Sequence, residues 1–291
     1  MSSLREVKNR INSVQSTRKI TAAMRMVASA KLTRVEDKIE NMIPYQQKLD
    51  EIVGKLLSSM EYSTQSPFTV ERKVKNMAIV AVSSNTTLCG AYNANVFRET
   101  SRLIEKYNYL GKDGLTIYAA GKQIEKSLTK KGVTLAGVYN DLADDPTYAE
   151  SHKLAKKLMD DFLEKKIDRV LIVYHHFRSL GSQELKVEQY LPFDLSKYHT
   201  EKVDKTLNND YLVEPSEKEL IADLLPKVIS QKLFTTFVDT SAAEHGARSM
   251  AMQLATENAD ELVEDLTKQY NKSRQQAITN ELLDIIGGSM R

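Results

Sequence analysis

A long antiparallel two-helix coiled coil made by both termini, with an inserted α/β domain of about five mostly parallel strands, is the mixed α+β and α/β fold predicted for this 291-residue chain. Three observations predict it. An unbroken heptad pattern fills the first 60 residues. Short apolar runs then alternate with helical segments as far as Leu191. A second helical pattern, with few breakers, occupies the last 75 or so residues.

The first helix is read over residues 3 to 58. No glycine occurs before Gly54, and Pro44 is its one proline. One heptad column is Leu4, Ile11, Arg18, Arg25, Leu32, Ile39, Gln46, Val53 and Met60. The column three residues on is Val7, Val14, Thr21, Ala28, Val35, Met42, Leu49 and Leu56. A register that never slips is the signature of a coiled coil. Between Arg18 and Ala28 the seam turns polar or small, while Ile20, Met24 and Val27 carry apolar character on another face. There the helix is expected to meet a different partner. Pro44 is expected to bend the helix near residues 41–44. Some 55 helical residues span roughly 80 Å, so a second long element must cover them.

Residues 61–72 read as a connection. Met77–Val82 is a continuous apolar, β-branched run and hence a buried strand. A helix follows from Ala91 to Leu110, a strand from Leu115 to Ala119 and a helix from Gln123 to Lys130. Val133–Tyr139 reads as a third strand. Pro146 opens a helix to Lys165, with Asp144 or Asp145 as its cap. Val170–Tyr174 is a strand that extends to Phe177. Arg178–Gly181 turns into Glu184–Leu191, an antiparallel edge. Residues 192–213 show no period. Ser216, with Glu219 three residues on, opens the second long helix. That helix has Pro226 and Gly246 as candidate breakers, spans roughly 105 Å and is expected to end at Gly287-Gly288. The chain accordingly divides into a coiled-coil helix (1–60), an α/β domain (73–192), a connection (193–213) and a second coiled-coil helix (214–291).

Composition narrows the function. Apolar residues make up 41% and charged residues 27%, as expected of a soluble, ordered protein. No run of about 18 uncharged apolar residues exists to cross a membrane. The N-terminal residues lack the apolar core of a signal peptide. A single cysteine, Cys89, excludes an internal disulfide and a multi-cysteine metal site, and fits a reducing, cytoplasmic compartment. The net charge of +2 hides an asymmetry. Residues 1–34 hold eight basic side chains against one acid, Glu6, whereas the rest of the chain holds 33 against 38. A basic arm on a mildly acidic body is expected to meet something negative. A basic helix can follow DNA phosphates, but these charges interleave with an occupied seam, so an acidic protein partner is favoured over nucleic acid.

Other constellations are weaker. Gly121-Lys122 follows a strand like the end of a phosphate loop, but Gly114 stands seven residues before Gly121 and Gln123 follows the lysine. Neither fits the required G-x-x-x-x-G-K-[ST]. A strand-to-helix turn is the expected reading. His175 and His176 are adjacent on a strand, so they face opposite ways and do not share a metal. Cys89 reads as a small buried residue beside Gly90, and Glu244-His245 as an exposed or interface pair. No catalytic residue, cofactor or metal site is expected. Near the C-terminus Leu266, Tyr270, Ser273 and Ala277 keep seam spacing, while Ile278, Leu282, Ile285 and Ile286 form an apolar stripe that calls for a socket.

Both ends of the chain resemble one family, the gamma subunit of the rotary F-type ATP synthase, in its bacterial form. The stretch Arg10-Ile-Asn-Ser-Val-Gln-Ser-Thr-Arg-Lys-Ile-Thr-Ala-Ala-Met-Arg-Met-Val-Ala-Ser-Ala-Lys-Leu32 resembles its first signature. The segment from Ala251 to Gly288 resembles the second, with Ala255-Thr-Glu-Asn-Ala259, Tyr270-Asn-Lys-Ser-Arg-Gln275, Ile278-Thr279, Glu281 and Ile285-Ile-Gly287. Glu214-Pro-Ser216 and Ala243-Glu-His245 also look like family features. One place departs: the family commonly has S-D-R-G-L-C-G where this chain has Ser84-Asn-Thr-Thr-Leu-Cys-Gly90.

The resemblance implies a non-catalytic central rotor shaft, one copy per complex. It would stand in a hexamer of three alpha and three beta subunits, with the epsilon subunit and the membrane c ring at its foot. It would lie at the cytoplasmic face of the bacterial cell membrane, held there only through the complex. Arg10, Lys19, Met24 and Arg25 would face the beta subunits. Lys31, Arg34 and the Tyr211 region would lie towards the c ring and epsilon. Arg274 and Gln275 match positions that hydrogen-bond the stator as a catch, and Thr279 and Glu281 would also contact a partner subunit. Ile278, Leu282 and Ile285 would turn in a hydrophobic collar.

Overall fold

The computed structural model describes residues 4–59, 66–111, 113–194 and 216–289. Its elements are helices α1 (Leu4–Ser59), α2 (Tyr92–Lys106), α3 (Lys122–Lys130), α4 (Asn140–Asp144), α5 (Tyr148–Leu163) and α6 (Glu217–Ser289). Strands are β1 (Met77–Val82), β2 (Leu115–Ala120), β3 (Gly137–Val138), β4 (Arg169–Ser179) and β5 (Ser182–Leu191). The chain forms two compact units. One comprises residues up to Ala30 and from Arg248 on; the other runs from Lys31 to Ala247. Long helices from the two ends of the chain pack together, and the sheet is mostly parallel, as the pattern predicts. The 193–213 connection lies outside the described residues from 195 on.

The sheet order is β3-β2-β1-β4-β5. β1 pairs in parallel with β2 and β4, and β2 with β3, while β5 is the antiparallel edge. β1 is buried along its whole length, which explains its lack of alternation. Cores form on both faces. On one side α2 and α3 cover Met77, Ile79, Ala81, Ile117 and Val173 through Val96, Leu103, Ile124 and Leu128. On the other side α5 and α6 cover Ala78, Val80, Tyr118 and Ile172 through Leu154, Leu158, Phe162, Leu225, Ile229, Leu233 and Phe237, with Val53 of α1 in the same cluster.

α6 is therefore a layer of the α/β sandwich before it is half of a coiled coil. Polar ties fix it there. The Tyr190 hydroxyl donates to the Ile229 carbonyl at 2.9 Å, and the Tyr92 hydroxyl to the Thr240 carbonyl at 3.2 Å. Lys232 pairs with Glu188 of β5 at 2.9 Å. Its start is as read from sequence: the Glu219 amide donates to Ser216 Oγ at 3.3 Å.

Several local expectations change. The third strand shrinks to Gly137–Val138, paired with Tyr118 and Ala119 of β2, while the Val133 amide turns back to the Leu128 carbonyl at the end of α3. α5 begins after Thr147, whose hydroxyl accepts the Glu150 amide at 3.4 Å; Asp144 closes the short helix α4 and Asp145 follows it as its C-cap. α6 runs on to Ser289, through Gly287-Gly288.

Adjacent His175 and His176 do part company, as alternation requires. His176 Nδ1 meets Asp239 of α6 at 2.7 Å. His175 is buried and stacks on Tyr92, with ring centroids 4.3 Å apart. Burial holds the His175 imidazole neutral, lowering its pKa from 6.5 to about 4. Between those values the unfolded chain binds more protons than the folded one. The stability from this group is full above about pH 6.5 and is lost as the pH falls towards 4. The loss amounts to about 3 kcal/mol at most. His175→Phe keeps a flat ring on Tyr92 and removes the proton site. It is expected to flatten the urea midpoint of the purified chain between pH 6.5 and 4; an unchanged slope would place the proton uptake elsewhere.

Candidate partner-contacting surface

In the unit that ends at Ala30 and resumes at Arg248, α1 and α6 face each other along a narrow seam. Val7, Thr21 and Ala28 are buried on α1; Ser249, Met252, Ala259 and Leu266 are buried on α6. Val14 and Ile11 are half-buried beside them. The polar stretch of the seam is not open to a different partner, as the sequence suggested. It is closed by matching polar groups from α6. Thr21 and Thr256 hydroxyls meet at 2.8 Å, Ser29 and Ser249 hydroxyls at 2.9 Å, and Arg18 pairs with Asp260. Short hydroxyl pairs satisfy each other where a leucine knob would be too large.

What lies open is the face away from the seam. Ile20, Met26 and Val27 are 60%, 65% and 59% exposed, and Leu254 of α6 is 49% exposed. Met24 is half-buried by contrast. Lys19, seven residues before Met26, stands on the same face; Arg25, in a seam column, and Arg10, ten residues before Ile20, are exposed on other flanks of the helix. Exposed apolar residues beside cations suit a partner surface that is itself apolar with acidic margins.

The other end of this unit is a bare helix. The hydroxyl pairs set an antiparallel register. Extended to its limit, that register puts Leu4 level with about Arg274. The rest of α6 has no α1 residue beside it and continues about 20 Å further at 1.5 Å per residue. Along it Ile278, Leu282, Leu283, Ile285 and Ile286 are between 48% and 68% exposed. These positions fall on one side of the helix, an arc of roughly 160° at 100° per residue, opposite Asn280, Glu281 and Asp284, so the tip carries a broad exposed apolar stripe.

Sheets of this kind usually take ligands at the carboxyl ends of their strands. The N-terminus of α3, where a phosphate would sit, is filled from within. The amide of Lys122 donates to Asn85 Oδ1 at 3.0 Å, that of Gln123 to the Ser84 carbonyl at 3.1 Å, and that of Ile124 to Ser83 Oγ at 3.0 Å. Gly121 (φ 109°) is required there, because a Cβ would run into the Ser83 carbonyl. Gly121-Lys122 is thus a strand-to-helix turn. Next to it Cys89 is buried, its sulfur accepting from Asn93 Nδ2 at 3.2 Å. Among the described residues no group of three His, Cys, Asp or Glu side chains could hold a metal ion.

The ATP synthase family model matches residues 3–290. The ATP synthase gamma chain of Bacteroides fragilis is 58% identical, and that of Bacteroides thetaiotaomicron 51%, each aligned over 100% of both chains. This chain belongs to the ATP synthase gamma chain family. Two solved assemblies share the fold. One is the Euglena gracilis mitochondrial ATP synthase OSCP/F1/c-ring (TM-score 0.67, 20% identity, 99% of this chain and 93% of that one). The other is the Tetrahymena thermophila mitochondrial central stalk and c ring (TM-score 0.56, 22% identity, 81% and 99%).

Within this gamma chain the residues singled out from sequence fall into separate groups. Arg10, Lys19 and Arg25 are each exposed on α1 but at different angles round it, Arg25 in a seam column and Lys19 in that of Met26; Arg274, Gln275, Thr279 and Glu281 are exposed near the tip. The Thr279 hydroxyl turns back to the Gln275 carbonyl at 2.9 Å. Lys31 and Arg34 are exposed in the α/β unit, where Lys31 lies 3.9 Å from Asp144. Tyr211 lies outside the described residues. Glu244 and His245 are buried, not exposed. Sequence reading missed Met26, Leu254 and Leu283, each a large apolar side chain off the seam columns. That position was their available signal.

The altered loop also finds its reason. Asn85 Nδ2 donates to the Asn140 carbonyl at 2.8 Å while Oδ1 takes the Lys122 amide. One side chain thus ties the loop after β1 to the starts of α3 and α4. The aspartate common in the family would accept from Lys122 but bring a second oxygen against the Asn140 carbonyl. Asn85→Asp is therefore expected to destabilise the chain by about 1 kcal/mol, the lost bond outweighing the helix-dipole gain. The urea midpoint measures it; an unchanged midpoint would show that the Asn140 bond contributes nothing.

Proposed function

We infer that this chain is the central rotor shaft of an F-type ATP synthase. One copy stands in a hexamer of three alpha and three beta subunits, with the epsilon subunit and the c ring at its foot. It couples proton-driven rotation of the c ring to conformational change at the catalytic beta subunits, and carries no catalytic residue itself. The observation that carries the reading, beside family membership, is the tip of α6. A helix that outruns its partner with a broad apolar stripe exposed needs something to enclose it, and one free to turn needs that sleeve to be greasy, not interlocked. Ile278, Leu282 and Ile285, with Leu283 and Ile286, would turn there.

Rotation does work only if different shaft angles favour different partner conformations. That requires an asymmetric surface. The strip of Ile20, Met26 and Val27 with Lys19 beside it, and Arg10 and Arg25 on other flanks of the helix, supplies one, and an acidic segment of each beta subunit is its fitting counterpart. Arg274 and Gln275, with Thr279 and Glu281, would engage the stator as a catch. Lys31, Arg34 and the Tyr211 region would lie towards epsilon and the c ring. Among the described residues no helix is long and apolar enough to cross a membrane. Peripheral attachment at the cytoplasmic face would therefore run through the c ring.

Native mass spectrometry of complexes drawn from membranes by a tag on this chain tests the reading. One copy with three alpha and three beta subunits and ATPase activity is expected. A lone chain, or one carrying nucleic acid without ATPase subunits, would overturn it. Within the assembled enzyme, Arg274→Glu is expected to lower ATP-driven proton pumping while leaving nucleotide binding by the beta subunits intact. Equal pumping by mutant and wild type would remove Arg274 from the catch.

A further inference from the structure

Apolar burial holds a helix against a sheet, but it is non-directional and resists twisting about the helix axis poorly. A shaft under torque needs contacts that reach off its axis and fit at one angle. In the unit from Lys31 to Ala247, β4 supplies them. Its pairing with β1 ends at Ala81 and Val173, yet it continues to Ser179 on β5 alone. Along this extension it turns to α6.

The Phe177 amide donates to Asp239 Oδ1 at 3.0 Å, and His176 Nδ1 meets Asp239 Oδ2 at 2.7 Å. Both oxygens of one carboxylate therefore hold consecutive residues of the strand. Phe177 packs against a buried cluster of Leu32, Val35, Val238 and Ala242, and against a second one of Cys89, Tyr92 and Ala243. A Cβ added at Gly246 would come within 2.9 Å of Phe177 Cε2. A glycine inside a helix weakens it relative to alanine; here it opens the notch in which the ring sits. Positions 239, 243 and 246 lie on one face of α6. Ala247 is the last residue of this unit on α6, so the ring grips the helix on its final turn there.

We propose that Phe177, Asp239 and Gly246 form a torsional clamp, which fixes the angle of α6 against the β4–β5 hairpin and passes torque between sheet and shaft. The proposal rests on the rotor-shaft reading. Phe177, Asp239 and Gly246 are positioning residues, since they touch no reacting atom.

The test uses the assembled hexamer with this chain, the hexamer anchored to a surface. A bead is attached through Tyr109→Cys, a site 74% exposed in the wild-type chain, whereas Cys89 is 2% exposed and does not compete. Thermal angular fluctuation of the bead during a nucleotide-waiting dwell gives the torsional stiffness. Gly246→Ala pushes the ring from its notch and is expected to lower the stiffness by about twofold, as overpacking displaces the contact. Phe177→Leu alone, which only removes atoms, is expected to soften the shaft as well. It keeps the test open if Gly246→Ala fails to assemble. The double variant, in which the smaller leucine makes room for the methyl, is expected to recover stiffness beyond either single variant. ATP hydrolysis should change far less than stiffness in all three. Unchanged stiffness in both single variants, or softening that simply adds in the double variant, would overturn the clamp. A wild-type bead that never turns would overturn the shaft reading, and the clamp with it.

Discussion

One continuous helix has to serve two different cores, and most of the structure follows from that demand. α6 first gives Leu225, Val228, Ile229, Leu233 and Phe237 to a β-sheet. Further on it gives Ser249, Met252, Ala259 and Leu266 to a single partner helix. A sheet accepts a broad apolar face, whereas a two-helix seam accepts a narrow one. The change of width falls near Ala242-Ala243 and Gly246-Ala247, where large side chains give way to small ones. The same short stretch receives Phe177 of β4, so the change of core and the notch are one feature of the sequence.

Much of this was legible in the residues, for reasons that can be named. The two heptad columns of α1 predicted its buried positions, from Val7 to Val53, because a coiled-coil partner constrains every turn alike. The continuous apolar run at β1 marked a strand buried on both faces. Elements decided by tertiary contact were less legible. Val133–Tyr139 has strand-like composition, but pairing with β2 extends over only two residues. Asp144 and Asp145 have the chemistry of a helix cap, but Thr147 is the residue that follows Pro146 and so stands at the start of α5. Gly287-Gly288 looks like a stop, yet glycine permits a helix end without imposing one.

The candidate surface was legible in outline and misread in one detail. Polar residues in the middle of a seam, Arg18 to Ala28, suggested a gap in the coiled coil. Thr256, Ser249 and Asp260 on the other helix answer them, and no single-helix pattern reveals such a match 220 or more residues away. The exposed strip was half visible. Ile20 and Val27 stood out by their spacing, while Met26 did not. Asn85 looked like a loss of a family residue, and became a clamp only when the Asn140 carbonyl appeared beside it.

The hydroxyl pairs carry a consequence for length. Apolar seams tolerate sliding, since one leucine replaces another a heptad on. Sliding α6 by seven residues would set Thr21 against Val263 and lose the bond between the helices, leaving the Thr21 hydroxyl only the Arg18 carbonyl of its own helix. Thr21–Thr256 and Ser29–Ser249 therefore act as a ruler for the rod. They fix how far the bare end of α6 projects, and so how deeply it can enter whatever encloses it, from positions more than twenty residues away from the tip.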